Sequence, residues 1–289
     1  MTQSHHSPAK IIPRSDHDIS RKYIDENSLK VLYRLHRHGY KAYLVGGGVR
    51  DLLLGRHPKD FDIGTDATPD QVHKLFRNSR IVGRRFRLAH ILFGRNECIE
   101  VATFRRKPDE DEIPADENFF CENVFGTPKE DAFRRDFTIN ALFYNIDDFS
   151  VIDYTGGLED LRRGIIRVIG DPDVRFAEDP VRMLRALEFS ARLGFDLHPD
   201  IAPAIERNAE LLAGAAPARI RDELLELFRH KVSGKVLQRA AKLGLLEFLV
   251  PDLQPARESF DLLRQLDLRT AAGKQVDEPT ALAAMYLPP

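Results

Sequence analysis

The sequence has few of the residues that build disulfide frameworks, zinc clusters or membrane spans. Cys98 and Cys121 are the only cysteines among the 289 residues, so neither a disulfide framework nor a zinc cluster is expected. No apolar run is long enough to cross a bilayer, and residues 1–13 have no apolar signal-peptide core. These absences predict a cytoplasmic protein with no membrane contact and no disulfide partner.

An excess of charge of one sign is also missing. The formal net charge is -2, which is not the basic balance typical of nucleic-acid binders. Basic residues are nevertheless concentrated around Arg84, Arg85 and Arg87, and acidic residues over 109–117. A basic patch could line an RNA path while the total charge stays near neutral, although a solvated face is the simpler interpretation.

The length and an ordinary hydrophobic content of 43% predict more than one domain. We expect a flexible N-terminal arm over 1–20 and an α+β head over 21–168, built from a mixed sheet with helices. A helical neck over 169–230 and a partial helical body over 231–289 follow. In the head, strands are predicted at 42–45, 88–93 and 98–104, and 105–129 is predicted to be a mobile functional loop. In the neck and body, helices are predicted at 179–193, 199–212, 217–230 and 233–243.

One segment joins a strand, a glycine turn and two carboxylates. After the apolar strand at 42–45, Gly46 and Gly47 form a tight turn whose bare backbone amides can approach a triphosphate. A short helix follows, and then Asp60 and Asp62, which alternation on a strand would place on one face. Two carboxylates on one face suit Mg²⁺. The segment has neither the P-loop pattern nor the Rossmann fingerprint.

Three charged positions near this segment each have two interpretations. Glu100 lies between apolar neighbours in a predicted strand. It is either a third carboxylate of the site or a solvent-facing residue. Arg50 either holds a triphosphate or pairs with Asp51. Asp136 either contacts a nucleotide or caps a helix.

Five segments carry a family pattern in a fixed order: 44–51 with 60–62, 81–90, 134–142, 156–167 and 178–186. Together they resemble the class II tRNA nucleotidyltransferase and bacterial poly(A) polymerase family, within the polymerase β superfamily. The segment 81–90 resembles the one that marks the poly(A) polymerases of this family rather than its CCA-adding enzymes. The resemblance runs from about residue 19 to at least residue 249.

The resemblance implies a template-independent adenylyltransferase, which adds AMP from ATP to RNA 3′ ends and releases pyrophosphate, as in RNA polyadenylation and mRNA turnover. The implied metal is Mg²⁺, as two ions on Asp60 and Asp62, with Mn²⁺ as a substitute, and Glu100 joins these two as a catalytic candidate. The nucleotide-binding candidates are Gly46, Gly47, Arg50, Arg135, Asp136, Asn140, Asp179, Arg182 and Arg185. The candidates for RNA or phosphate contacts are Arg84, Arg85 and Arg87.

In the family, the pair that corresponds to Asp179 and Arg182 contacts the edge of the base. Adenine and cytosine both present an amine beside an acceptor, so this pair selects ATP and CTP over UTP and GTP without separating the two. Without that context, Asp179 before Pro180 is a helix N-cap and Arg182 pairs with Glu178. Glu188 stands where the family often has arginine, so local salt bridges are expected to differ.

Two other functions remain open on the sequence. A tRNA nucleotidyltransferase that adds all or part of the 3′-CCA shares every catalytic motif. Family members generally continue through a helical body and tail that grip RNA, whereas this sequence ends soon after residue 280. A truncated RNA-binding fragment with weak catalysis is therefore the third hypothesis.

Overall fold

The computed structural model describes residues 8–83, 87–94, 97–108, 124–249, 257–274 and 276–286. The predicted contacts at Arg84 and Arg85 and most of the predicted loop at 105–129 lie outside these residues. The chain divides into two compact units, Met1–Leu161 and Arg162–Pro289, close to the predicted boundary at 168. In the described part of the chain, every helix is too short or too polar to cross a membrane.

The first unit is built on a mixed sheet of eight strands, which confirms the predicted α+β class. In chain order the strands are β1 (Lys10–Ile12), β2 (Ala42–Val45), β3 (Asp62–Thr65), β4 (Ser79–Val82), β5 (Leu88–Phe93), β6 (Glu97–Thr103), β7 (Leu142–Asn145) and β8 (Val151–Asp153). Their order across the sheet is β1-β8-β7-β2-β3-β6-β5-β4. Neighbouring strands are antiparallel except β3 and β6, which are parallel. The glycine turn after β2 and the start of β3, where Asp62 stands, therefore lie at the same end of neighbouring strands.

Helices of the first unit begin where the sequence offers a cap. They are α1 (Glu26–Arg37), α2 (Gly47–Leu53), α3 (Pro69–Leu75), α4 (Pro128–Arg134) and α5 (Gly157–Arg163). Thr68 and Thr127 each form a capping box with the residue three positions on, and proline follows each of them. Helix α4 starts inside the segment predicted as a loop, which therefore ends at Thr127 rather than at residue 129.

The core of the first unit lies between the central strands and the helices that cover them. Helix α1 packs on β2 and contributes Leu32 and Leu35, which have no exposed surface. Leu44 of β2 and Ile63 of β3 are equally buried. Burial of this kind stabilises the unit by about 1.5–3 kcal/mol for each large apolar side chain.

The prediction of a flexible arm over 1–20 is wrong for the residues from 10 onward. Strand β1 pairs with β8 at the edge of the sheet, and Ile12 and Ile19 are buried. The ring of His17 is hydrogen-bonded through Nε2 to the carbonyl oxygen of Phe149, at 2.8 Å. A three-residue strand is too short to give a clear alternation in the sequence.

The second unit is mainly helical. Its helices are α6 (Pro172–Glu178), α7 (Val181–Leu193), α8 (Ile201–Asn208), α9 (Pro217–Arg229), α10 (Ser233–Lys242), α11 (Leu246–Leu249), α12 (Arg257–Ala271) and α13 (Glu278–Tyr286). The four predicted helices correspond to α7 to α10. The all-helical prediction missed a parallel pair of two-residue strands, β9 (Ile165–Ile166) and β10 (Asp196–Leu197).

Helix α5 is held at its start by a buried carboxylate of β8, and one glycine lets it pack against the 3₁₀ turn Thr138–Asn140. Oδ1 of Asp153 accepts from the backbone amides of residues 155, 156 and 157, and its Oδ2 accepts from that of Leu158. A Cβ on Gly157 would overlap the carbonyl oxygen of Thr138. Only glycine allows the start of α5 to approach this turn so closely.

Gly157→Ala is expected to destabilise the protein by about 1–3 kcal/mol, because backbone on both sides must move to admit one methyl group. This loss exceeds the gain of about 1 kcal/mol or less that alanine brings to a helix. Urea denaturation measures the change. Gly214→Ala is the control, since a Cβ there meets nothing within 4 Å. Equal stability of the two variants would contradict the close packing.

Candidate active site

The turn between β2 and α2 brings bare backbone beside two arginines. Gly46 has φ 71° and ψ -134°, a conformation that favours glycine, and its amide donates to the carbonyl oxygen of Leu142 at 3.2 Å. A Cβ on Gly46 would lie 3.2 Å from Nη1 of Arg135, and one on Gly47 would lie 3.3 Å from Nη2 of Arg50. Larger residues would therefore disturb both guanidinium groups.

Arg50 is buried, with 3% of its side chain exposed. Its Nε donates to Oδ1 of Asp51 at 2.9 Å, and its Nη1 donates to Oδ1 of Asn140 at 2.5 Å. The pairing with Asp51 that the sequence left open is thus present. Arg50 fastens α2 to the 3₁₀ turn, and its predicted contact with a triphosphate stays a prediction.

Asp62 opens β3, opposite Val45 at the end of β2. Asp60 lies two residues earlier, so the prediction that both stand on the strand is wrong for Asp60. The Asp62 side chain is open to solvent, but the protein atoms around it and the charges of Glu100 and Asp60 raise its pKa to about 6, against the effect of Arg135. Loss of hydration is the largest of these effects, and the two neighbouring carboxylates add to it.

Glu100 follows Asp62 across the sheet, because the parallel register pairs Ile63 with Val101. Its Oε2 lies 3.5 Å from Nε2 of His90 on β5. Within the described ranges, no three His, Cys, Asp or Glu side chains are grouped closely enough to hold a metal ion. The assignment of Asp60 and Asp62 as metal ligands and the catalytic role of Glu100 stay predictions.

Arg135 is held beside the glycine turn by Asp131, a buried carboxylate that the sequence reasoning missed. Nε and Nη2 of Arg135 donate to Oδ2 of Asp131 at 3.1 and 2.8 Å, and Nη1 donates to the carbonyl oxygen of Asn140 at 3.3 Å. Oδ1 of Asp131 accepts from Nε of Arg134 at 3.0 Å and from the backbone amide of Arg105 at 3.2 Å. Burial alone would raise the pKa of Asp131, but Arg135 and Arg134 outweigh it and lower that pKa.

Asp136 and Asn140 connect the same turn to the site. Oδ1 of Asp136 accepts from the backbone amide of Phe137 at 2.8 Å and from Nδ2 of Asn140 at 3.4 Å. Asp136 therefore accepts from the amide of Phe137, but Phe137 and not Asp136 is the N-cap of the 3₁₀ turn, so the capping interpretation is wrong. Asn140 is buried and links Asp136 to Arg50. Asp136 and Asn140 therefore stabilise the turn that holds Arg50.

In the second unit, Asp179 does not cap helix α7. Pro180 occupies the N-cap position of α7, and Asp179 is the C-cap residue that follows α6. Its two carboxylate oxygens accept from Nη1 and Nη2 of Arg219 at 2.9 and 2.8 Å. The N-cap interpretation is wrong because this forked ion pair occupies the carboxylate instead.

Arg182 and Arg185 are held on the same segment by acidic partners. Nη1 of Arg182 donates to Oε2 of Glu178 at 3.2 Å and to the carbonyl oxygen of Arg175 at 2.9 Å, which confirms the predicted pair with Glu178. Nη1 of Arg185 donates to Oε1 of Glu223 on α9, at 3.0 Å.

Glu188 and Arg87 are both held in ion pairs. Glu188 is buried, and its Oε1 lies 2.8 Å from both Nε of Arg192 and Nδ1 of His230, so local salt bridges form here despite the departure from the family pattern. Arg87 is half-exposed and pairs with Asp70 at 3.0 Å. Its predicted RNA contact stays a prediction.

Comparisons with known proteins agree with this arrangement. A family model described as "Poly A polymerase head domain" matches residues 42–167, and one described as "Probable RNA and SrmB- binding site of polymerase A" matches residues 194–257. The chain belongs to the tRNA nucleotidyltransferase and poly(A) polymerase family. Members of this family are generally metal-dependent, and the match spans both units of the chain.

Two curated relatives represent the two activities named in this family. Poly(A) polymerase I of Salmonella typhimurium is 49% identical over 96% of this chain and 63% of its own length. The CCA-adding enzyme of Bacillus pumilus is 41% identical over 78% of this chain and 54% of its own length. The chain thus spans less than two thirds of either curated relative.

A solved structure of the family has the same fold. The CCA-adding enzyme of Bacillus stearothermophilus in complex with CTP is 34% identical, with a TM-score of 0.71, over 90% of this chain and 65% of that one.

The sequence contains a pattern that could have identified the role of Asp131. Asp131 precedes Arg134 and Arg135 by three and four positions, which is the spacing of neighbours on a helix. Arg219 and Glu223 lie about 40 residues after their partners, and no local pattern joins them to the family motif.

Asp131→Asn is expected to lower the free energy of unfolding at pH 7 by about 3 kcal/mol, because two partly buried arginines lose their anion. The folded-state pKa of Asp131 is below the unfolded value of about 3.9. Its charge therefore stabilises the protein above about pH 4, and this stabilisation is lost as pH falls through the folded-state pKa. Urea denaturation at pH 7, 5 and 3 should show the wild type and the variant converging at low pH.

Glu26→Gln serves as the control, since it removes only the exposed pair of Glu26 with Lys30. Its stability should match that of the wild type at each pH. A deficit in Asp131→Asn that stays constant from pH 7 to pH 3 would attribute the loss to packing rather than to charge.

Proposed function

We propose that this chain catalyses template-independent addition of AMP from ATP to RNA 3′ ends, with release of pyrophosphate. The observation that carries the nucleotidyl transfer is the position of Asp62, which pairs with Val45 where β2 leads into the glycine turn beside Arg135 and Arg50. Such a site suits a cation together with the phosphates of a nucleotide. The RNA 3′ hydroxyl would attack the α-phosphorus, and the bond to pyrophosphate would break.

The residues present fit a divalent metal. Asp60 and Asp62 supply hard oxygen ligands. The pKa of Asp62 is raised mainly by loss of hydration and further by the charges of Glu100 and Asp60, and a bound cation would favour its charged form. We assign two Mg²⁺ ions to this pair, with Mn²⁺ as a substitute. When bound, the metal lowers the pKa of a hydroxyl nucleophile and stabilises charge on the leaving group.

The chain's own residues position the nucleotide around this centre. Gly46 and Gly47 allow close approach of phosphate to the backbone, and Arg135 presents a cation held in one orientation by Asp131. We assign phosphate and sugar contacts to these residues, with Asn140 fixing the turn below them. A cation held in place before binding loses little freedom when the nucleotide binds.

Recognition of the base is assigned to Asp179 and Arg182. Both side chains are mostly buried within the second unit and are held by ion pairs, Asp179 by Arg219 and Arg182 by Glu178. A carboxylate accepts from an exocyclic amine and a guanidinium donates to a ring acceptor. Adenine and cytosine present that combination, whereas uracil and guanine do not.

AMP addition is favoured over CCA addition by overall similarity. Identity is higher to the Poly(A) polymerase I above, at 49%, than to the CCA-adding enzyme, at 41%. CCA addition is the second candidate, because the pair of Asp179 and Arg182 accommodates both bases. Product analysis separates the two activities.

The deciding experiment is 3′-end extension by the purified chain with Mg²⁺. Each labelled nucleotide is offered separately to an oligo(A) primer, a tRNA lacking CCA and a tRNA ending in CC. Long ladders with ATP alone on oligo(A) are expected. Addition of only one to three nucleotides on tRNA would assign CCA addition instead. RNA binding without any addition would assign an RNA-binding fragment.

Asp60→Ala and Asp62→Ala are each expected to abolish extension while the melting temperature stays near that of the wild type, because these exposed carboxylates support no packing. Asp18→Ala is the control, since Asp18 is an exposed aspartate of the same unit outside the candidate site. Full activity of either of the first two variants would refute their assignment as metal ligands.

A further inference from the structure

The carboxylate of Asp179 has no support from a helix. The residue follows α6 in an extended conformation, with φ -153° and ψ 92°, and the next helix is capped at Pro180 without a side-chain hydrogen bond. Among the described contacts, the Asp179 carboxylate lies 3.9 Å from Nε of Arg182. It also accepts hydrogen bonds from Nη1 and Nη2 of Arg219, at 2.9 and 2.8 Å, and we call this two-point contact the fork of Arg219. The orientation of this carboxylate therefore depends mainly on Arg219.

The fork of Arg219 fixes the carboxylate without saturating it. Each oxygen of a carboxylate has two acceptor positions, and the fork takes one on each oxygen. The remaining positions stay available to an amine of a base. Arg219 is 55% exposed and Asp179 18% exposed, so the pair adds little to folding stability, and its orienting effect can be separated from it.

A second contact of opposite polarity lies one helical turn further along α9. Glu223 follows Arg219 by four positions, which places both on one face of the helix. Glu223 accepts from Arg185 at 3.0 Å, as Arg219 donates to Asp179. In the segment 178–186, the carboxylate of Asp179 precedes the guanidinium of Arg185. Helix α9 supplies the opposite charges in the same order, Arg219 to Asp179 and Glu223 to Arg185.

We infer that Arg219 and Glu223 of α9 form a two-point clamp that orients the base-reading segment and so sets nucleotide selectivity. Both are positioning residues, since they act through Asp179 and Arg185. The inference rests on the proposed role of Asp179 in reading the base. It adds a determinant of selectivity outside the five segments that carry the family pattern.

The test measures the ratio of kcat/KM for ATP to that for UTP, on an oligo(A) primer with the full chain. Arg219→Ala is expected to lower this ratio roughly tenfold with an unchanged melting temperature, since one charge-assisted contact is lost. Arg219→Lys keeps the charge but not the fork, so an intermediate ratio is expected. Glu223→Gln weakens the contact with Arg185 and should lower the ratio of ATP to UTP less than Arg219→Ala does. The equilibrium dissociation constants of ATP and UTP give a second measure of selectivity, one that does not depend on turnover.

Arg207→Ala is the matched control. Arg207 is 57% exposed and donates to both oxygens of Asp173 in the same unit, at 3.2 and 2.7 Å, away from the family motif. The ratio of kcat/KM for ATP to that for UTP in Arg207→Ala should equal that of the wild type. A wild-type ratio in Arg219→Ala would overturn the clamp, and so would an equal loss for both nucleotides accompanied by a lower melting temperature.

The double variant separates the clamp from the proposed function. In the background of Asp179→Ala, the further change Arg219→Ala should have no effect on the ratio, because the group that it orients is absent. If Asp179→Ala keeps the preference for ATP, the base-reading assignment fails and the clamp fails with it. If Asp179→Ala loses the preference and Arg219→Ala keeps it, the clamp alone fails.

Discussion

The candidate active site depends on one buried anion, the carboxylate of Asp131. It accepts from two arginine side chains and from the backbone of Arg105, and thereby joins α4 to the strand that precedes it in the sheet. Burying a carboxylate is costly, and here the cost is offset by two guanidinium partners and a backbone amide. The consequence for function is geometric. Arg135 cannot swing into solvent, so its positive charge stays beside Gly46 and Asp62, where the sheet brings together the glycine turn and the carboxylates to which we assign phosphate and metal binding.

Much of this arrangement could be predicted because its parts are local. The strand, the glycine turn and the two aspartates lie within about twenty residues, and the cap at Thr68 is a pattern of four residues. Resemblance to the family supplied their functional meaning. The prediction failed where a short element gave no periodic signal, as at strand β1 over residues 10–12. It also failed at Asp179, where helix-capping rules favoured a local partner and a distant arginine competed successfully for the carboxylate.

The near-neutral total charge conceals a consistent use of ion pairs. Arg50, Arg135 and Arg182 are all bound to acidic side chains of their own unit, so their positive charge is neutralised in part before any ligand arrives. This explains how a chain with a net charge of -2 can belong to a family that acts on RNA. Pairing also restricts rotamers, so each guanidinium meets a ligand with fewer conformations to lose. Charge composition alone therefore underestimates the capacity of this fold to bind phosphate.

Three carboxylates, those of Asp131, Asp179 and Asp62, differ in how completely arginine partners fill their acceptor positions. This difference separates their roles. Asp131 is buried between two arginines and has a lowered pKa, so it serves as a fixed support. Asp179 is engaged by one fork that leaves acceptor positions on both oxygens, so it is oriented and still able to accept from a base. Asp62 is aligned with Glu100 on the neighbouring strand, and its pKa is raised mainly by loss of hydration, so a cation would favour its charged form. The same functional group is thus a support at Asp131, and we propose it as a contact to the base at Asp179 and as a metal ligand at Asp62.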